Sequence, residues 1–156
     1  MKIHSLNISN GGVPKLAIER CEVRVRGLAG DRQRDRRYHG GPDRAVSLYS
    51  LELIEALTAE GHAIAPGALG ENLTVAGADW SRMTPGLVLE AGKVMLELTS
   101  YAAPCANLRR YFSDGRFARV SEKLHPGWSR LYARVLREGA LEVGDALRVR
   151  SPSLAP

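Results

Sequence analysis

One cysteine stands where the local sequence can make it reactive. Cys105 follows Pro104 in a segment that leads from an apolar strand into a predicted helix over residues 104–112. Proline suits the first turn of a helix, and the free N–H groups and positive dipole end there favour a thiolate. A thiolate can ligate a soft metal or carry sulfur as a persulfide. Arg109 and Arg110 add positive charge, unless they only cover a solvated helix face. The simpler alternative for Cys105 is a small buried side chain, the usual role of a lone cysteine.

An arginine-dense loop upstream is the second candidate for chemistry. Residues 28–44 combine glycines, which permit close backbone approach, with His39 and several forked guanidinium donors. The arginines are Arg32, Arg34, Arg36, Arg37 and Arg44. The composition predicts an anion-binding loop, because a long loop in a compact domain is more often functional than idle. The alternative is a solvated loop folded by ion pairs with Asp31, Asp35 and Asp43. Neither the P-loop nor the dinucleotide-binding glycine spacing occurs.

Other catalytic or metal-binding patterns are missing from the sequence. The four histidines are scattered, and no CxxC or HExxH occurs, which argues against a zinc site. No serine lies in a GxSxG elbow, so a Ser-His-Asp hydrolase has no support. Cys21 lies among charged neighbours that do not activate it, and we interpret it as structural. Glu71 and Asn72 follow a glycine-rich turn and are either site groups or turn polars, with equal support for each.

Alternating apolar and polar residues dominate the segments that must position these groups. Ser50 is predicted to cap a helix over residues 51–60, and residues 104–112 and 117–124 also have helical character. The alternation predicts strands at residues 3–8, 21–26, 45–49, 72–75 and 146–149, and hairpins over residues 87–98 and 134–143. We therefore expect a mainly β fold, a closed or nearly closed β-barrel with two or three short helices. Residues 1–150 form a single domain in this interpretation, and residues 151–156 a disordered tail.

Composition narrows the possible partners and the compartment. The chain of 156 residues has a net charge of +5, which indicates an anionic partner, but only 6% aromatic residues. Few aromatics argue against base-stacking surfaces and so against nucleic acid. The N-terminus lacks the apolar run of a signal peptide, and no stretch reaches membrane-spanning length. We therefore expect no membrane partner and a reducing cytoplasm, in which both cysteines stay thiols.

Five short motifs, in order along most of the chain, resemble the MOSC domain. This domain is the C-terminal part of molybdenum cofactor sulfurases and also occurs as small stand-alone bacterial proteins. The motifs are Gly27-Leu28-Ala29-Gly30-Asp31-Arg32, His39-Gly40-Gly41-Pro42-Asp43-Arg44-Ala45-Val46, Gly70-Glu71-Asn72-Leu73, Leu98-Thr99-Ser100 through Pro104-Cys105-Ala106-Asn107-Leu108, and Val143-Gly144-Asp145. Each motif is weak alone, whereas five in register form a specific pattern.

The resemblance implies a β-barrel-like fold that handles molybdenum cofactor (molybdopterin). By motif position, Cys105 would be the catalytic sulfur carrier or the metal ligand. Basic and polar residues would hold the pterin phosphate and line the cofactor cleft. The cofactor-binding set implied in this way is Arg32, His39, Gly41, Arg44, Asn72 and Asn107.

The same resemblance implies two activities that the residues do not separate. The chain would either support reduction of N-hydroxylated compounds through bound cofactor, or transfer sulfur on Cys105 for the assembly of metal–sulfur centres. Whether it is itself an enzyme stays open. A cofactor or sulfur donor protein, and an electron-transfer partner in trans, are the expected partners. Pyridoxal phosphate is not expected to act in this chain, because no aminotransferase-like domain and no lysine suited to a Schiff base are found.

Two alternatives compete with this interpretation. A basic β-barrel could bind RNA or DNA without catalysis, with affinity that falls steeply with salt and does not depend on Cys105. A degenerate domain could instead serve only as the partner of another enzyme, with an inert thiol and no bound small molecule.

Overall fold

The computed structural model describes residues 1–32 and 41–151, in which eleven strands and a few short helices occur. The strands are β1 (Lys2–Ile8), β2 (Leu16–Ile18), β3 (Arg20–Arg24), β4 (Gly27–Leu28), β5 (Val46–Ser50), β6 (Leu73–Ala76), β7 (Val88–Ala91), β8 (Val94–Ala102), β9 (Arg130–Arg137), β10 (Gly139–Glu142) and β11 (Arg148–Val149). The mainly β prediction is therefore confirmed. His39 and the tail from residue 152 onward lie outside the described residues.

The strands form two sheets, and the prediction of a barrel is not confirmed. One sheet has the order β11-β7-β8-β9-β5-β6-β1-β2, and the other has the order β10-β3-β4. The edge strands β11 and β2 do not pair with each other. The bridge from Lys2 to Ala146 and backbone hydrogen bonds between residues 1–3 and 144–147 join the start of β1 to the residues that precede β11. Alternation shows only that each strand has one buried face, which holds equally for barrels and for packed open sheets.

One predicted hairpin is confirmed and the other is wrong. Strands β7 and β8 pair antiparallel as expected. Strand β9 pairs with β8 and β5, whereas β10 pairs with β3 in the other sheet, where Leu141 lies opposite Cys21. Gly139 belongs to β10 and not to a turn. A Cβ at this position would lie 3.1 Å from the Cβ of Lys93. The glycine therefore allows close packing against Lys93. Glu138 alone separates β9 from β10, whereas a tight hairpin loop needs two residues.

Each of the three predicted helical segments contains a helix, but only the first is an α-helix. The expected helix after Ser50 is confirmed as α1 (Leu51–Ala59), capped by a hydrogen bond from the Leu53 N–H to the Ser50 Oγ, 3.2 Å. It connects the parallel pair β5 and β6 and buries Ile54 and Leu57. The other described helices are short 3-10 turns: Pro42–Arg44, Trp80–Arg82, Ala106–Tyr111 and Phe117–Val120. No helix in the described ranges is long and apolar enough to cross a membrane.

Candidate functional site

A cleft of about 850 Å³ opens between the end of β8, the start of β9 and the loops around them. Its described lining consists of Gly12, Val13, Lys15, Arg32, Arg44, Ser47, Leu69, Gly70, Tyr101, Ala103, Pro104, Cys105, Asn107, Leu108, Arg130 and Tyr132. Four of these residues are lysine or arginine, and none carries a carboxylate. The described wall is therefore cationic, which favours an anionic ligand.

Cys105 lines this cleft together with Asn107. The chain leaves β8 at Ala102, and Cys105 then caps the 3-10 helix Ala106–Tyr111, with its carbonyl accepting the N–H of Leu108 at 3.0 Å. The buried Leu108 anchors the helix, while the cysteine is half-buried and free. A helix does begin here as predicted, but it is six residues of 3-10 type. A short 3-10 helix therefore stands where the sequence predicts a longer helix with its dipole at Cys105.

The arginines next to Cys105 in sequence do not line the cleft. The guanidinium carbon of Arg109 lies 5.6 Å from the centre of the Phe117 ring. Arg110 stacks on Tyr111, 4.9 Å from the ring centre, and also bonds the carbonyl of Val13. Both side chains therefore cover the protein's own surface, in agreement with the interpretation that they lie on a solvated helix face.

Two arginines of the upstream loop do reach the cleft. Arg32 is held by its backbone, whose N–H donates to the carbonyl of Ser9 at 2.7 Å, while its side chain is exposed. Arg44 ends the 3-10 helix Pro42–Arg44 and lies over Tyr132, 5.5 Å from the ring centre. Gly41 precedes this helix with φ +95°, a conformation that glycine adopts without strain, and it lies outside the cleft lining.

Asn72 lies beneath the cleft instead of lining it. Its side chain is fully buried, its Oδ1 accepts from the backbone N–H of Ser47 at 3.0 Å, and its Nδ2 donates to the carboxylate of Asp31 at 2.9 Å. The same Nδ2 donates to the carbonyl of Asn7 at 3.1 Å. Asn72 therefore ties three segments together and positions the lining residue Ser47. This geometry agrees with the interpretation of Asn72 as a turn polar.

A buried ion pair supports the cleft from the same side. The ammonium group of Lys15 lies 2.6 Å and 2.8 Å from the two carboxylate oxygens of Asp31, and both side chains are more than nine-tenths buried. Asp31 also accepts from the backbone N–H of Ser9 at 2.9 Å. With both charges paired and bonded, the desolvation cost of each is offset. Asp31, which does not line the cleft, thus neutralises Lys15, one of the four cations that do.

Arg130 is one of the cleft residues that the sequence reasoning missed. Only 6% of its surface is exposed, and its Nε has no hydrogen-bond partner among the described residues. The prediction started this strand at Arg134, whereas β9 begins at Arg130. The available signal was an arginine directly before the apolar pair Leu131 and Tyr132, which a longer strand would place among buried residues.

Glu71 is buried behind the cleft floor. One carboxylate oxygen accepts from the backbone N–H of Gly67 at 2.6 Å and from the hydroxyl of Thr74 at 3.0 Å, while Oε2 has no partner in the described structure. Burial raises the pKa of this carboxyl above its usual value, and the hydrogen bonds and the charge of Arg130 oppose that shift only in part.

The described residues contain two thiols and no cluster of metal ligands. Among residues 1–32 and 41–151, no group of three or more His, Cys, Asp or Glu is arranged to hold a metal ion. Burial, followed by the charges of Glu22 and Asp31, raises the pKa of Cys21 to about 11, so this cysteine stays a thiol at neutral pH.

The comparison with protein families assigns the chain. The family model of the MOSC domain matches residues 35–148, and the chain belongs to this family. Among curated proteins, it is 33% identical to the uncharacterized protein YflK of Bacillus subtilis over 126 residues, 78% of this chain and 55% of that protein. It is 28% identical to the protein YiiM of Escherichia coli over 107 residues, 65% of this chain and 48% of that protein. The chain thus spans about half the length of these relatives.

A solved structure shares the fold. The crystal structure of the YUAD protein from Bacillus subtilis matches with a TM-score of 0.78 at 19% identity, over 97% of this chain and 96% of that chain. At this level of identity the likeness shows the fold alone.

Proposed function

We propose that this chain binds molybdenum cofactor in the cleft, with Cys105 as the ligand of the metal or as a carrier of sulfur for it. The observation that carries the proposal is a half-buried thiol in a cleft whose described lining has four cations and no carboxylate. A thiolate suits a soft metal, and guanidinium groups suit a phosphate. Both ends of such a cofactor thus find matching chemistry in one cavity.

The residues present fit the cofactor in the following way. Cys105 would supply the one protein sulfur, and Asn107 beside it would offer amide hydrogen bonds. Arg32, Arg44 and Arg130 would bind the anionic end. We keep His39 and Gly41 as candidates from the motif alone, and assign Asn72 to the support of the lining. When bound, the cofactor would supply two-electron redox chemistry at the metal.

The chain's own residues serve two activities with the same thiol. For sulfur transfer, the Cys105 thiolate attacks the outer sulfur of a persulfide on a donor protein. A new S–S bond forms on Cys105 as the donor's S–S bond breaks, and the donor leaves as a thiolate. For reduction of N-hydroxylated compounds, the cleft binds and orients cofactor and substrate, while electrons come from a partner protein.

Nucleic-acid binding is the weaker candidate. Stacking of bases needs free aromatic faces, but the chain's own arginines lie over several rings. Arg119, for example, lies 3.7 Å from the centre of the Trp128 ring. Arg44, Arg109 and Arg110 likewise lie over Tyr132, Phe117 and Tyr111.

The test is to purify wild type, Cys105→Ser and Cys21→Ser from a host that makes molybdenum cofactor. Molybdenum and oxidised-pterin fluorescence per protein are then measured, and persulfide is trapped after incubation with a sulfur donor. We expect cofactor or persulfide on wild type and on Cys21→Ser, and neither on Cys105→Ser. Equal cofactor and persulfide on Cys105→Ser and wild type would refute the role of Cys105. A wild type that takes up neither would refute the proposal as a whole.

A further inference from the structure

A second, smaller cavity lies next to the cleft and differs from it in charge. The two cavities share one wall, Tyr101, which is 38% exposed. The smaller cavity, here called the side pocket, measures about 210 Å³, and its described lining includes Trp80, Ser81, Met83, Tyr101, Glu122 and Gly127. This lining contains a carboxylate, and its described residues include no lysine, arginine or histidine. Pockets that hold a whole ligand measure about 300 Å³ or more, so the side pocket suits one end of a ligand.

The carboxylate of Glu122 is fixed at the side pocket and has no counter-charge. Both of its oxygens accept from the backbone N–H of Gly127, at 3.1 Å and 3.0 Å. Burial and, second to it, the charge of Glu122 raise the pKa of Tyr101, so the carboxylate and this hydroxyl are neighbours. Among residues 1–32 and 41–151, no cation lies within ion-pair distance of Glu122. The side pocket therefore presents a negative charge that the protein positions and leaves unpaired.

The side-chain donors of the side pocket are largely engaged within the protein. The indole N–H of Trp80 donates to the carbonyl of Ser129 at 2.8 Å. The hydroxyl of Ser81 donates to the carboxylate of Asp79 at 2.6 Å. The hydroxyl of Tyr101 is the remaining side-chain donor among the described lining residues. An ionised carboxylate has about four acceptor positions, so hydrogen-bond acceptors are in excess and a ligand that donates is favoured.

We infer that the side pocket binds the basic end of a ligand, a protonated amine carried by a flat apolar body. The Glu122 carboxylate would accept the N–H groups of the ammonium in charge-assisted hydrogen bonds. The ring of Tyr101 would attract the cation through its face, and together with the thioether of Met83 it would contact the flat body. An anion of the same shape would meet an uncompensated negative charge and be rejected.

The charges of the two cavities also orient this ligand. The cleft on the other side of Tyr101 has four cations and no carboxylate in its described lining, whereas the side pocket has a carboxylate and no cation. A ligand bound in reverse would place its ammonium group among cations, which costs binding energy. The basic end therefore lies in the side pocket and the rest of the ligand points toward the cleft that contains Cys105. That this ligand is the substrate rests on the proposed function.

The test titrates benzylammonium, and benzyl alcohol as its uncharged analogue, into wild type, Glu122→Gln and the control Glu97→Gln. Glu97 is a carboxylate of β8 that lies 3.7 Å from Arg134 and lines neither cavity. Binding is followed by NMR at the backbone N–H of Gly127 and the indole N–H of Trp80. Wild type and Glu97→Gln should bind benzylammonium about threefold to tenfold more tightly than benzyl alcohol, as expected for a partly exposed charged hydrogen bond. Glu122→Gln should lose this preference.

The wild-type titrations need no variant to fold. The absence of shifts at Gly127 and Trp80, or equal affinity for the two probes in wild type, would overturn the inference. A preference for benzylammonium that persists in a folded Glu122→Gln would overturn it as well. Cofactor or persulfide on Cys105 without benzylammonium binding would overturn the side pocket alone. Benzylammonium binding by a wild type that takes up neither molybdenum nor persulfide would refute the proposed function and leave the side pocket standing.

Discussion

The buried pair of Lys15 and Asp31 provides a sharp test of how the cleft is held together. The substitution Asp31→Asn keeps the shape and one acceptor oxygen but removes the negative charge. The ammonium group of Lys15, 8% exposed, then has no charge partner within the described structure. Breaking a buried pair in this way costs about 3–5 kcal/mol, against about 5–15 kcal/mol for the total stability of a typical domain.

The assay is urea unfolding followed by circular dichroism, supported by thermal unfolding. For a domain of this size, a loss of 3–5 kcal/mol lowers the unfolding temperature by roughly 6–20 °C. The matched control is Glu90→Gln, which breaks the exposed pair with Arg137, 3.5 Å apart, and should cost at most about 1 kcal/mol because solvent screens it. The double variant Lys15→Met, Asp31→Asn should recover part of the loss, since no buried charge is left unpaired.

One result would refute the reasoning. If Asp31→Asn and Glu90→Gln cost the same small amount, the burial of the first pair would carry no energetic weight. The cationic lining of the cleft would then not depend on Asp31 for its stability.

Two further substitutions test the loop behind the cleft. Glu71→Gln should flatten the dependence of stability on pH. Burial raises the pKa of Glu71 in the folded protein, so wild type loses stability as the pH rises from 4.5, the ordinary pKa of the carboxyl, through the raised pKa. Glutamine does not ionise, and the variant should not show this loss. Unfolding temperatures at pH 5 and pH 8 would show this, and an unchanged pH slope in the variant would contradict it. Gly67→Ala should cost more than about 2 kcal/mol, because its Cβ would lie 2.2 Å from a backbone oxygen at φ +85°. The control Gly86→Ala, with a similar φ of +98° but open space around it, should lose clearly less in urea unfolding, and equal losses would show that the clash is relieved.

Several features could be predicted because they depend on residues close together in sequence. The strands β1, β3 and β7–β8 follow from alternation, and α1 follows from the cap at Ser50 and its apolar face. The start of a helix at Cys105 follows from Pro104. The motifs also indicated the family correctly, since a motif is a local property and needs no knowledge of pairing.

Other features were decided only when the chain folded. Which strand pairs with β10 depends on β3, more than 100 residues away, and on the room that Gly139 leaves beside Lys93. No local pattern distinguishes an open sheet from a barrel, because both need the same alternation.

The candidate site also has features that the sequence predicts and features that depend on the folded chain. The side chains that are able to do chemistry, one thiol near a helix start and a set of arginines, can be read from the sequence. That Asn72 lies beneath the cleft while the buried Arg130 lines it follows only from the folded chain. The reason is that burial and charge pairing are sums over neighbours from many segments, so the same type of side chain is solvated at one strand position and buried at another.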